Sequence, residues 1–374
     1  MSQARISTVS KQFDIPGDFM HAEPYGSGHI NDTFVAAYEQ RGTGRRYIIQ
    51  RINHNIFKDP EALMANFVLV TQHIYNRLKQ KGIYDVHRRV LTVIPSVDGK
   101  NYYRDSKGNY WRALNFIDNA RTYDVCKSLK LIAEAGRVFG DFQYMLEDLP
   151  ANNLYETIPD FHNGPKRFEN FAKALNEDAC GRAADAQKEI DFLMKHAPLF
   201  DILPRLAQEG SIPLRVIHND AKVNNIVFDN TTGEALCVID LDTVMPGLSL
   251  WDFGDIVRTT ISKAEEDEKD LSKVAIDIRR FEAVAAAFVS SAGAFLNGTE
   301  MTNLLLGAKT IILEQAVRFL TDHLAGDTYY KVHQRNHNLD RCRTQITLYE
   351  LVLRHERQLC EVVNRIASHD TGKA

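Results

Sequence analysis

Asp220, Asn225 and Asp240 are the residues of this chain whose types and spacing suit one chemistry. The first two lie in Val216-Ile217-His218-Asn219-Asp220-Ala221-Lys222-Val223-Asn224-Asn225-Ile226-Val227-Phe228, and Asp240 ends the run Cys237-Val238-Ile239. One carboxylate can take a proton; an amide and a second carboxylate can hold a cation. Phosphoryl transfer asks for this set. An Asp orients the acceptor hydroxyl, and an Asn five residues on and an Asp on a following strand hold Mg²⁺ against nucleotide phosphates.

The elements that must position these residues are short. Apolar and β-branched runs bounded by turn formers, such as Asp229-Asn230-Thr231-Thr232-Gly233, read as strands with the polar residues on loops at their ends. The plain alternative is a polar hairpin with an Asp and an Asn in its turns. The pattern His218-x-Asp220-x4-Asn225 is moderately specific alone, and the Ile239-Asp240 strand end fifteen residues later strengthens it. No Phe-Gly follows Asp240, which points away from protein kinases. Asp242 is left open between a second metal ligand and a solvated acid.

Upstream, Gly26, Ser27 and Gly28 form a turn between two strand-like runs, where backbone N–H groups can approach a phosphate because no Cβ intervenes. A simple hairpin accounts for the same residues. Asp59-Pro60 opens a helix with an N-cap acid and proline at the first position. Strands are expected near 90–94, 101–104 and 110–117, and helices over 281–295, 304–324 and 343–365. Gly136 and Gly140, four apart in a helical run, permit close helix packing. Asp252 and Asp255 suggest a helix start with capping acids. The acidic run 264–270 reads as a solvated helix face, and His162 and His196 as surface or core-edge residues.

Composition bounds the rest. The chain has 374 residues, 44% hydrophobic and 25% charged, with net charge −4. That is ordinary for a globular protein and gives no general pull toward nucleic acid or an anionic membrane. Five scattered cysteines without a C-x-x-C argue against a disulfide frame or zinc site and for a reducing compartment. There is no apolar signal core and no apolar stretch of membrane length, so a cytoplasmic location is expected. The oligomeric state is open.

The Asp220 segment resembles the aminoglycoside phosphotransferase and choline kinase superfamily, small-molecule kinases of kinase-like fold. A closer resemblance, to the bacterial N-acetylhexosamine 1-kinases, rests on Tyr25-Gly26-Ser27-Gly28-His29-Ile30-Asn31, Gly181-Arg182-Ala183-Ala184, Ser211 to Asn225, Ile239 to Gly247, Asp252-Phe253-Gly254-Asp255 and His337-Asn338-Leu339-Asp340-Arg341. It covers nearly the whole chain.

The resemblance implies a two-lobed α+β protein-kinase-like fold. Residues 1–118 would be a β-rich nucleotide lobe and 119–374 a mostly helical catalytic and substrate lobe. It implies transfer of the ATP γ-phosphoryl group to the anomeric hydroxyl of GlcNAc or GalNAc, with Asp220 as base and Asn225 and Asp240 as Mg²⁺ ligands; the alternatives are a kinase of the same fold for another small hydroxyl acceptor (a neutral sugar, an aminoglycoside, choline or homoserine) and a nucleotide-binding pseudokinase. Lys222 would steady the γ-phosphate or the substrate. Gly26, Ser27 and Gly28 would cover the nucleotide, and Asn115, Phe116 and Ile117 would lie beside adenine. Gln50 stands where such strands carry a phosphate-gripping lysine, which puts that ion pair in doubt; the neighbouring Arg51 reads equally well as a solvated strand residue. His29, Asn31, Arg318 and Tyr329 would face the sugar, although Arg318 and Tyr329 read equally well as a helix-surface arginine and a packed tyrosine. Asp252 would brace the catalytic loop.

Overall fold

A computed structural model describes residues 3–26 and 30–370; Ser27, Gly28 and His29 lie outside it. A first helix, α1 (Gln3–Ser10), precedes strands β1 (Asp18–Pro24), β2 (Asp32–Gln40) and β3 (Thr43–Ile52). Helix α2 (Pro60–Gln80) and a short α3 (Val86–Arg89) follow, then β4 (Val93–Ile94), β5 (Tyr103–Arg104) and β6 (Tyr110–Asn115). These strands make one antiparallel sheet in the order β1-β2-β3-β6-β4, with β5 also on β6. The β2–β3 turn is Arg41-Gly42, both at positive φ (52° and 81°), the pairing whose twist suits a two-residue hairpin. Thr43 and Gly44 already belong to the strand. In α2, the Asp59 side chain accepts from Ala62 N at 3.0 Å and Pro60 begins the helix, as the sequence predicts.

After β7 (Ala120–Arg121) the chain becomes helical: α4 (Leu129–Met145), α5 (Gly164–Glu177), α6 (Gln187–His196) and α7 (Ile202–Gln208). Four short strands intervene, β8 (Arg215–Ile217), β9 (Ile226–Asp229), β10 (Ala235–Val238) and β11 (Met245–Gly247). The chain ends in α8 (Ser249–Thr260), α9 (Ile278–Ala292), α10 (Gly298–Thr302), α11 (Leu304–Leu324), α12 (His337–Arg354) and α13 (Glu356–Asp370). β9 is flanked by β10 and β7, and β8 pairs with β11, all antiparallel. The architecture is the expected α+β one, a β-rich N-terminal part and a larger helical part.

One core runs from Ile52 and α2 through α4, α8, α9 and α11 to Val363, and a smaller cluster around Phe34, Ile49 and Trp111 fills the outer side of the first sheet. α4 lies against α9 at contact distance. A Cβ on Gly136 would fall 2.4 Å from Val284 O, and one on Gly140 2.7 Å from Phe288 O. The spacing of small residues had announced this packing. Elsewhere the structure corrects the reading. The 343–365 helix is two helices broken at His355. The 264–270 stretch is turns rather than a helix: Glu266 pairs with Arg258 at 2.5 Å and Asp267 with His337 at 2.8 Å.

Candidate active site

The loop from His218 to Asn225 is built by buried polar contacts. The N–H groups of His218 and Asn219 donate to the two carboxylate oxygens of Asp252, each at 2.8 Å. Asp252 is wholly buried within α8 and also accepts from Gln143 of α4 at 2.9 Å. It braces the loop instead of capping the helix. Asp255 likewise pairs with Arg258 at 2.7 Å. Asn219 takes a left-handed φ of 64°, where asparagine is tolerated, and donates to the carbonyls of Thr243 and Met245. His218 donates from Nε2 to Ile239 O (2.9 Å), because its Nδ1 accepts from the Asp220 N–H (3.2 Å).

His162 ties this loop down from the other side. Its Nδ1 meets Glu314 at 3.0 Å and its Nε2 meets Asn219 O at 2.9 Å. Neither partner can donate, so both bonds form only when both ring nitrogens carry hydrogen. Burial works against the His162 charge, but Glu314 outweighs it and lifts the pKa above the ordinary value. His162 is therefore a buried imidazolium, not the surface or core-edge residue the sequence suggested.

Above this frame stand the expected chemical groups. Asp220 accepts from Asn225 Nδ2 at 2.9 Å and pairs with Lys222 at 3.0 Å. Burial pushes its pKa up, but Lys222 and these contacts hold it below the usual carboxylate range. Asn225 Nδ2 also donates to Asp220 O at 2.8 Å, which fixes the amide and leaves its oxygen on the other side. Asn225 O accepts from Ile239 N at 2.9 Å, so Asp240 follows directly beside Asn225. Asp240 has a left-handed φ of 61° and keeps exposed surface. Desolvation, then the charges of Asp242 and Asp220, push its pKa up to about 6.

Crowded acids beside an amide oxygen with no partner among the described residues make an oxygen-lined place where an added hard cation would relieve repulsion. Among the described residues no three His, Cys, Asp or Glu side chains gather closely enough to hold a metal by themselves.

The N-terminal sheet supplies the opposite wall. Gly26 has φ 77° with open space around its Cβ position. Tyr25 packs edge-on against Phe116 (5.5 Å), and Arg46 lies over the same ring at 4.1 Å. Phe116 and Ile117 lie just past β6; Ile117 is buried in the main core. The Asn115 side chain is committed to structure, accepting from Thr92 N (2.7 Å) and donating to His87 O (2.8 Å). Gln50 Nε2 donates to Thr33 Oγ1 at 2.7 Å, and Gln50 Oε1 accepts from Arg112. Arg112 was not anticipated. The signal was a charged residue in the apolar run Tyr110-Trp111-Arg112-Ala113-Leu114 beside a strand that lacks its lysine. Asn31 donates to Asp242 at 2.6 Å and accepts from Asn53 N at 2.9 Å, so its side chain belongs to the frame. Asp242 is buried and paired, not solvated. Arg51 is half-buried, pairs with the partly exposed Asp32 and donates to Asn109 at 3.3 Å, so it is engaged within the sheet and not merely solvated.

On the helical side, α11 carries Glu314 and Arg318 one turn apart on the face toward the loop. The Arg318 guanidinium lies over the rings of Phe161 (5.1 Å), Tyr330 (5.7 Å) and Tyr329 (5.9 Å). Burial works against its charge, but Tyr330, Tyr329, Glu314 and Asp220 outweigh burial and raise its pKa. The buried Tyr330 hydroxyl has no hydrogen-bond partner among the described residues. The two tyrosines are held by Asp322, whose carboxylate accepts the N–H groups of Thr328, Tyr329 and Tyr330 at 2.8, 2.8 and 3.0 Å. Sequence reasoning missed this brace, though an acid six residues before Thr328 at a helix end hinted at it.

Residues 21–275 match the model of the phosphotransferase enzyme family. The chain belongs to that family. Its fold resembles several solved structures. A microcompartment-associated aminopropanol kinase aligns with a TM-score of 0.61 at 15% identity, covering 96% of this chain and 98% of that one. An aminoglycoside phosphotransferase from Alicyclobacillus acidocaldarius gives 0.60 at 11% (97% and 96% covered). A choline kinase from Cryptosporidium parvum gives 0.60 at 12% (97% and 98% covered). At these identities the likeness is one of fold. No described helix is long and apolar enough to cross a membrane.

Proposed function

We propose that this chain transfers the γ-phosphoryl group of ATP to the anomeric hydroxyl of an N-acetylhexosamine, GlcNAc or GalNAc, giving the sugar 1-phosphate. The observation that carries the acceptor choice is Arg318, a half-buried guanidinium held against three aromatic rings within electrostatic reach of Asp220. The structural relatives named for aminopropanol and choline act on cationic acceptors. Here a second cation would meet Arg318, with Lys222 nearby, and be repelled. A neutral sugar suits the site better. Its hydroxyls and acetamide oxygen can accept from Arg318, and its apolar face can lie on the half-exposed Tyr329 ring.

In this reading the nucleotide lies between a lobe of residues 1–118 and one of residues 119–374. The base sits near Phe116 and Ile117, and the phosphates under the Gly26 turn. Asn225 and Asp240 would hold Mg²⁺, which when bound neutralises charge on the phosphates. Asp220, kept ionised by Lys222, accepts the hydrogen bond of the anomeric hydroxyl and takes its proton as the new P–O bond forms. A carboxylate of low basicity suffices because charge on the attacking oxygen develops late in a loose transition state. Lys222, once relieved of Asp220 by the substrate, is free to steady the γ-phosphate. We take its site of action to be cytoplasmic, a reading supported by five scattered cysteines without a C-x-x-C.

The test is Mg²⁺-dependent ATP consumption across GlcNAc, GalNAc, galactose, glucose, choline and an aminoglycoside, with NMR of the product to locate the phosphate. Turnover with the hexosamines and a phosphate on C1 is expected; preference for choline or the aminoglycoside overturns the acceptor assignment. Asp220→Asn should lower turnover by about 10³-fold, within the range for loss of a general base, while ATP still binds. Near-normal turnover by that variant removes Asp220 from the role.

A further inference from the structure

Arg112 is a charge inside the core of the first sheet, 1% exposed and lying over the Phe67 ring at 4.7 Å. Every side of its guanidinium is engaged. Nε and Nη2 donate to Gln50 Oε1 at 2.8 and 2.5 Å, and Nη1 donates to Asp242 Oδ1. The other oxygen of Asp242 accepts from Asn31 Nδ2 at 2.6 Å. Both carboxylate oxygens of Asp242 are thus taken by side chains of the N-terminal sheet and its turn. Its backbone carbonyl accepts from Thr157 at 2.8 Å. Asp242 stands in the tight turn Leu241–Thr243, which begins at the left-handed Asp240. A buried ion pair of this kind contributes little net stability, but losing one partner leaves an uncompensated buried charge. The pair therefore constrains the turn strongly.

We propose that Arg112 is a positioning residue: by claiming Asp242 together with Asn31, it withdraws that acid from the metal and fixes the turn, so that Asp240 alone of the two acids joins Asn225 at the cation. The inference rests on the kinase reading above. It separates two roles that Ile239-Asp240-Leu241-Asp242 leaves open, and it makes the metal loop depend on a side chain of the opposite lobe.

The two assignments of Asp242 differ in sign. If Asp242 only positions the turn, Arg112→Gln loosens Asp240 and weakens metal binding. If Asp242 is a ligand restrained by Arg112, the same change frees it and tightens metal binding. The experiment is calorimetric titration of ADP into full-length protein over a series of Mg²⁺ concentrations, together with the acceptor KM and the melting temperature of each variant. Arg112→Gln should raise the Mg²⁺ half-saturation at least fivefold, with metal-free ADP affinity and acceptor KM within twofold of wild type. Arg112→Lys should recover part of the loss, because it keeps the charge but not the fork. Asn31→Ala, which spares the buried pair, should shift Mg²⁺ dependence the same way by a smaller factor and guards against misfolding of the Arg112 variants. Asp242→Asn combined with Arg112→Gln should be no worse than the worse single change. Tighter or unchanged Mg²⁺ dependence in both Arg112→Gln and Asn31→Ala, even with a lowered melting temperature, overturns the inference. If wild type shows no Mg²⁺-dependent ADP binding, the kinase reading falls and takes this inference with it.

Discussion

Single residues test what the proposed site binds and how firmly its loop is held. Arg318 is the sharpest case. Arg318→Met keeps the bulk over Phe161, Tyr329 and Tyr330 but removes donors to the acceptor. A lost charged hydrogen bond is worth about 1.5–3 kcal/mol, so acceptor KM should rise about tenfold or more while ATP KM stays within twofold. An ATP effect as large as the acceptor effect would move Arg318 out of the acceptor site. His162 yields a prediction with a sign in pH. Its native pKa lies above the unfolded value of about 6.5, so the folded protein binds the extra proton between the two. The stability this contributes is complete below about pH 6.5 and is lost as pH rises through the raised native value. Glu314→Gln removes the partner of a charge with a side chain only 3% exposed and should cost about 3–5 kcal/mol at pH 6. The gap between the variant and wild type in chemical denaturation should narrow as pH rises; a gap independent of pH would mean the imidazole is neutral throughout. The sequence displayed Asp220, Asn225 and Asp240 because their spacing carries the signal. It hid His162, Glu314 and Arg112, which act through partners up to about a hundred and fifty positions away, a separation no local pattern records.

At the scale of elements, the site hangs on the helices packed behind its loop, with Phe139 and Phe142 of α4 against the His218 ring. α4 supplies Gln143, which holds Asp252, which holds the backbone of His218 and Asn219. α4 keeps its place because two glycines let α9 approach. Gly136→Ala sets a methyl 2.4 Å from the Val284 carbonyl, and neither backbone can yield cheaply. Overpacking of this kind costs about 1–3 kcal/mol, outweighing the gain in helix propensity of about 1 kcal/mol for losing glycine. A lower denaturation midpoint is expected with nucleotide affinity little changed; a rise would show that α4 and α9 can slide apart. This packing was legible beforehand because glycines four apart fall on one face of a helix and leave room there for a neighbouring backbone. The break at His355 and the turns at 264–270 were not. Helical periodicity continues across the first, and acidic composition says nothing about the ion pairs to Arg258 and His337 that shape the second.

For the whole molecule, the question is whether two lobes mean two folding units. The main core joins Ile52 and α2 to α4, α8 and α11 without interruption. Asn66 of α2 exchanges hydrogen bonds with the backbone of Tyr155 and donates to Val244 O. The Arg112–Asp242 pair crosses the same divide. Breaking the lobes apart would expose apolar surface and strand buried charges together. The chain carries two tryptophans, and they report on opposite sides: Trp111 in the first sheet's outer cluster and Trp251 on α8, packed against His162 at 5.1 Å. Trp111→Phe and Trp251→Phe leave one reporter each. Their fluorescence transitions in denaturant should coincide in midpoint and slope, since one cooperative unit gives one transition whatever the probe. Mg²⁺ with ATP at about a hundred times Kd should move both by the same amount, about 2.7 kcal/mol. An earlier transition at Trp111 alone would show that the outer sheet lets go first and that the shared core, for all its continuity, does not bind the lobes into one.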